Sequence, residues 1–168
     1  MAPSLPSQTQ PARRRVTIER RFNAAIEDVW DLWTTKDGIE SWWGPDGFEV
    51  TVRKLELHQG GAFLYSMSAR APEQVDFLKK AGMPLTTETR ATYTEVVPRK
   101  RLAFTQLADF VPGVTPYEVA TAVEFDMSPT GVRLVVTLDA MHDEAWTKMA
   151  VTGWESQLDK LAKLVKPA

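Results

Sequence analysis

Trp42-Trp43-Gly44-Pro45-Asp46-Gly47-Phe48 stops one kind of structure and starts another. Proline disfavours a helical predecessor and glycine accepts a turn, so a helix over 36–43 must end here and an extended segment begin at Phe48. Two adjacent indoles on a short helix point in directions about 100° apart. One of them is therefore expected at a boundary or lining an opening. The second informative stretch lies downstream, where Trp146, Met149, Ala150, Trp154, Leu158, Leu161 and Val165 recur at spacings of three and four and form one apolar stripe. The spacing predicts a helix over 143–166, roughly 36 Å long at about 1.5 Å per residue. Gly153 inside it suggests close approach of the helix to a sheet or a ligand.

Between these landmarks the period is two. Val16, Ile18 and Phe22 alternate with Thr17, Glu19 and Arg21, which predicts a half-buried strand over 14–22. Ile26, Val29, Trp30 and Trp33 then return to helical spacing, with Asn23 as the expected N-cap of a helix over 24–34. Strands are predicted over 48–57 and 61–68, joined at Gln59-Gly60-Gly61, and further strands over 86–97, 101–108, 117–127 and 131–139. In the strand over 117–127, Tyr117, Val119, Thr121, Val123, Phe125 and Met127 share one face. The stretch 72–81 breaks the alternation, and Val75, Phe77 and Leu78 predict a short helix acting as a lid. Residues 109–116 form a loop with Phe110 at an apolar tip.

The order is strand, two short helices, a run of antiparallel strands and one long helix. This predicts an α+β fold in which a curved antiparallel sheet wraps around the C-terminal helix. Space between sheet and helix that side chains do not fill is a ligand cavity. Residues 1–12, rich in Pro, Ser, Gln and Thr, are expected to be a disordered tail, leaving 13–168 as a single domain.

Composition removes several function classes. Hydrophobic residues make up 43% and charged residues 25% of the 168, ordinary globular usage. With 20 Lys and Arg against 22 Asp and Glu, there is no basic field to attract nucleic acid, and the Arg13-Arg14-Arg15 triplet stands alone. The absence of cysteine excludes disulfides, thiolate metal sites and a cysteine nucleophile. His58 and His142 are the two histidines and belong to no paired ligand motif, so neither a metal nor a cofactor is expected. No apolar run reaches the roughly 20 residues needed to span a bilayer, and a cytoplasmic location is the default expectation. A homodimer is compatible with the chain.

Arg20-x-Phe22, Val29-Trp30, the Trp42 to Phe48 stretch, Gly60-Gly61, Tyr93-x-Glu95-Val96-x-Pro98, Arg101-Leu102-x-Phe104-Thr105 and Gly153-Trp154 occur in this order. In these segments the chain resembles the bacterial proteins grouped with the activator of Hsp90 ATPase homologue, across residues 16–165. Their wider class is the START-like, or Bet v 1-like (SRPBCC), helix-grip superfamily. The resemblance implies a deep apolar cavity in a superfamily that includes lipid carriers, hormone receptors, polyketide aromatase/cyclases and ring-hydroxylase subunits. The paired histidines of the ring-hydroxylase metal pattern are missing here. Relative to the short bacterial pattern, the chain carries added residues at 71–85 and an extended 109–116 connection, both expected at a cavity mouth beside residues 42–48.

The expected function is binding of a small, largely apolar or aromatic molecule, with Trp43, Phe48, Phe63, Tyr65, Met67, Phe104, Phe110, Tyr117, Met149 and Trp154 as candidate lining. Arg20 and Glu95 are the candidate polar residues. Arg20 shares the inward face of its strand with Ile18 and Phe22, so it is expected to reach a carboxylate, Glu95 first, or to extend its head to an edge. A cavity enzyme of cyclase, dehydratase or hydrolase type is the alternative. It would use Glu56, Glu95 or Glu124 as acid or base, with Arg20 stabilising an oxyanion. Ser66 and Ser68 lack the frame of a serine nucleophile. Binding is favoured over catalysis, and the third alternative is a chaperone-associated interaction protein.

Overall fold

Among the described residues seven strands, all paired antiparallel, form one curved sheet in the order β1-β7-β6-β5-β4-β3-β2. The computed structural model describes residues 14–165 apart from 110 and 112. The expected tail over 1–12 and the candidate residue Phe110 lie outside the described residues. The elements are β1 (Arg15–Phe22), α1 (Ile26–Thr34), α2 (Lys36–Trp42), β2 (Phe48–Leu55), β3 (Ala62–Ala69) and α3 (Pro72–Lys80). They continue with β4 (Thr86–Val97), β5 (Arg101–Ala108), β6 (Tyr117–Ser128), β7 (Gly131–Asp139) and α4 (Glu144–Leu164).

Alternation decides which face of each strand is buried. In β6, Val119, Thr121, Val123 and Phe125 are buried while Glu118, Glu124 and Asp126 are exposed, as a period of two requires. Register shifts interrupt the pairing of β2 with β3 at Val52/Lys54 and of β4 with β5 at Tyr93/Glu95. Such irregularities bend a sheet. On the face gripped by α4, Trp33, Trp42, Tyr93, Phe104, Leu134, Leu158 and Leu161 are almost wholly buried.

Both adjacent tryptophans are buried, and Trp43 also lines the cavity between the sheet and α4, as expected of one of the pair. Trp42 is the last helical residue of α2, and Trp43 is its C-cap with extended backbone (φ −66°, ψ 144°). The chain changes direction between the two residues, so their directions are not those of a continuing helix. Trp42 donates its indole N–H to the Leu32 carbonyl at 2.7 Å, and its ring meets Trp33 edge-on at 4.6 Å.

Asn23 does not cap α1. Ala25 stands at the N-cap without a side-chain hydrogen bond, because residues 22–24 are used in passing the β6–β7 turn. A Cβ on Gly131 would lie 2.0 Å from the Phe22 carbonyl oxygen and 3.0 Å from Asn23 Cα. Arg20 does not pair with Glu95: β7, β6 and β5 lie between their strands. Arg20 instead donates to the neighbouring Glu19 carbonyl at 3.2 Å, extending its head toward the surface. Glu95 accepts from Arg101 Nε at 2.7 Å, and the same guanidinium reaches Glu124 at 2.8 Å. In α3, Leu78 is buried but Phe77 is 51% exposed, so the two do not form a common buried stripe.

Candidate functional site

A cavity of about 310 Å³ lies between the sheet and the N-terminal two-thirds of α4. Its floor is the inward face of five strands: Tyr65 and Met67 from β3, Thr87 and Thr89 from β4, Gln106 from β5, Val119 and Thr121 from β6, and Leu138 from β7. Its other wall is the helix stripe, with Trp146, Met149, Ala150, Gly153, Trp154 and Gln157. Met149 is 45% exposed. Open space borders this part of α4 around Met149, while Trp154 packs against Trp33 and Trp43 and, further along, Leu158 and Leu161 are fully buried.

The rim comes from two segments. Trp43, Pro45 and Phe48 form one side, and Leu78, Met83, Pro84 and Leu85 the other. The first side is pinned to α4: Gly44 N–H donates to Gln157 Oε1 at 2.9 Å, Asp46 N–H to Ser156 Oγ at 2.9 Å, and Lys160 Nζ to the Gly44 carbonyl at 3.2 Å. Burial pushes the Lys160 pKa down, and the nearby Asp46 carboxylate partly opposes this. The second side begins where Arg70 and Ala71 both donate to the Gly47 carbonyl, at 2.8 and 3.0 Å. Gly47 holds φ +91°, and a Cβ there would lie 2.9 Å from Ala71 and Gln74 side-chain atoms. From residues 71–85, Leu78, Met83, Pro84 and Leu85 thus border the cavity, but the described residues of the 109–116 connection contribute nothing to the lining.

Of the expected lining residues, Trp43, Phe48, Tyr65, Met67, Met149 and Trp154 face the cavity. Phe63 and Phe104 do not. They point to the same side of the sheet, but neighbouring rings occupy the space around them: Phe63 stacks on Tyr93 at 5.9 Å, and Phe104 lies 6.2 Å from Trp43. Tyr117 lies outside the lining beside residues 141–142, where its hydroxyl is 2.8 Å from His142 Nδ1 and accepts the His142 backbone N–H at 3.1 Å. Arg20 and Glu95 are also outside the lining.

The polar lining was missed by sequence reasoning: Thr87, Thr89, Gln106, Thr121 and Gln157. The available signal was a polar residue at an inward strand position, as with Thr121 between Val119 and Val123. No Asp, Glu, His, Lys or Arg lines the cavity among the described residues. Tyr65 is its titratable group. Burial raises the phenol pKa, with a smaller opposing effect from Trp43 and Thr89, so the group stays protonated at neutral pH. Glu56 and Glu124, the other acid/base candidates, bond to the Ala62 N–H and to Arg101 away from the cavity. The described residues contain no group of three His, Asp or Glu side chains able to hold a metal, and no helix long and apolar enough to cross a membrane.

The sequence matches the family described as Activator of Hsp90 ATPase homolog 1-like protein over residues 23–166. The chain belongs to this family. Solved structures agree on the helix-grip architecture of these Activator of Hsp90 ATPase homolog 1-like proteins. A Chromobacterium violaceum protein superposes with a TM-score of 0.75 at 23% identity, covering 92% of this chain and 98% of its own. The AHSA1-like protein from Aeromonas hydrophila gives 0.66 at 25% identity, covering 89% and 90%. The AHSA1 protein from Silicibacter pomeroyi gives 0.68 at 22%, covering 89% and 96%. No curated protein matches the sequence. Similarity at this level establishes the START/Bet v 1-like fold and leaves activity to be argued from the site.

Proposed function

We propose that this protein binds a small, largely apolar or aromatic molecule between its sheet and α4. The carrying observation is the cavity of about 310 Å³, walled by Trp43, Tyr65, Met67, Met149 and Trp154 and not filled by side chains. Its volume lies at the lower end of the usual range for ligand pockets, about 300 to 1,000 Å³. Aromatic walls offer broad contact at small cost in rotamer entropy. The absence of a carboxylate or imidazole from the described lining favours binding over general acid/base chemistry.

The test is titration with N-phenyl-1-naphthylamine, an uncharged dye that brightens in apolar surroundings. The expected result is a saturable rise with one site per chain. It should be lost in Ala150→Trp, which fills the cavity from the helix side, while circular dichroism shows that variant folded. A non-saturable response from the unmodified protein would reject the reading.

A further inference from the structure

Two buried side chains on opposite walls of the cavity have hydrogen-bonding capacity that the described residues leave unused. Gln157 is 5% exposed, and its Oε1 accepts the Gly44 N–H at 2.9 Å. A backbone N–H can only donate, so this contact fixes the amide orientation and turns the NH₂ away from Gly44. No described residue accepts from that NH₂, and the nitrogen is not sealed from open space. Across from the helix, Thr121 on β6 is 4% exposed, and its hydroxyl likewise lacks a protein partner among the described residues while bordering the cavity. Gln106 on β5 pairs with Val119, which makes it a diagonal neighbour of Thr121 on the same face. Its amide makes no hydrogen bond to a described residue.

Buried polar groups are paired in folded proteins, and those aimed into a cavity are paired by what the cavity holds. The described lining provides no charge to match a charged ligand. Lys160, one turn beyond Gln157, is directed to the Gly44 carbonyl and does not line the space. A carboxylate or ammonium group would therefore lose its hydration without gaining a counter-ion, a far larger penalty than burying a neutral oxygen with a donor.

We infer that the ligand is an uncharged, ring-containing molecule with two separate polar groups, one an oxygen that accepts from Gln157 Nε2 and the other bonded by the Thr121 hydroxyl with Gln106 beside it. The inference rests on the cavity being a binding site. It assigns specificity to Gln157 and Thr121 and places molecules that must bury an ionised group in the cavity outside the ligand class. The volume, room for about ten waters at roughly 30 Å³ each, limits the ligand to a few rings.

Displacement of bound N-phenyl-1-naphthylamine tests this with three compounds of similar size: flavone, which is neutral with a carbonyl and a ring oxygen; flavone-6-carboxylate; and the hydrocarbon 2-phenylnaphthalene. Flavone should displace the dye, and the carboxylate should compete at least about a hundredfold more weakly. Thr121→Val keeps the side-chain shape, and Gln157→Glu keeps the acceptor for Gly44 while removing the NH₂ donor. Each should weaken flavone about threefold to tenfold, the scale of one hydrogen bond, and Thr121→Val should leave 2-phenylnaphthalene unchanged or tighter. Tight competition by the carboxylate, failure of flavone to displace bound dye, or flavone affinity indifferent to both substitutions would overturn the inference while the cavity reading stands. If the dye itself does not bind, both fall.

Discussion

Gly153 and Gln157 are one turn apart on α4 and hold different relations to the Gly44-Pro45 rim. Gln157 bonds the Gly44 N–H, whereas Gly153 leaves room: an added Cβ would meet Pro45 Cγ at 3.5 Å, ordinary van der Waals contact. The glycine is not required by close approach to the sheet, and in a helix interior it costs roughly 1 kcal/mol relative to alanine. Gly153→Ala should raise stability by about 0.5 to 1 kcal/mol in urea unfolding. A destabilised variant would show that the helix packs more tightly against Pro45 than these distances indicate. Gln157 itself was invisible to the apolar-stripe argument, since a glutamine in a helix gives no hint that one end of its amide is committed to a distant backbone.

Among the elements, α2 and the edge strand β2 are joined by one carboxylate. Glu40 Oε2 accepts the Val52 N–H at 2.8 Å and the Lys36 ammonium at 2.8 Å. The Lys36 bond and then the Val52 N–H hold the Glu40 pKa below its ordinary 4.5, against a smaller effect of burial. A carboxyl with a depressed folded-state pKa contributes stability that is present above its unfolded value and lost as pH falls through the folded one. The relevant window is therefore at and below about pH 4.5. Glu40→Ala should destabilise by about 1 to 2 kcal/mol at pH 7, because the Val52 N–H loses its acceptor. Urea midpoints measured from pH 7 to pH 3 should fall less steeply for Glu40→Gln than for the unmodified protein. Parallel acid limbs would mean that Glu40 is as free in the folded state as in the unfolded one.

At the scale of the molecule, firm and yielding parts divide along the cavity. Paired strands and the end of α4 with Leu158 and Leu161 enclose the core, whereas α3 has Leu78 as its buried residue, an exposed Phe77 and no side-chain N-cap. Segments with few buried contacts open at low free-energy cost. Amides of α3 should therefore exchange with solvent at least about a hundredfold faster than those of β6 and β7. Bound dye should slow exchange in 78–85 and in the first half of α4, where lining residues cluster. Equal protection of α3 and the central strands would show that the rim is as rigid as the core.

The strand and helix periods were legible because local geometry imposes them: inward residues of β6 recur every second position and those of α4 every third or fourth. The family resemblance and the sheet-and-helix architecture followed from these periods and from segments such as Trp42 to Phe48. Position across the sheet was not legible. Arg20 and Glu95 seemed able to meet until the strand order put three strands between them, and which of Trp42 and Trp43 borders the cavity was decided by the C-cap that redirects the chain between them. The division of inward residues into filled core and cavity wall was hidden for the same reason. Phe63 and Tyr65 occupy the same face two residues apart, yet rings from β4 and other distant segments enclose Phe63 while Tyr65 borders open space. Periodicity orients a side chain relative to its own backbone, but whether another side chain arrives to fill the space before it depends on chain segments far away in sequence.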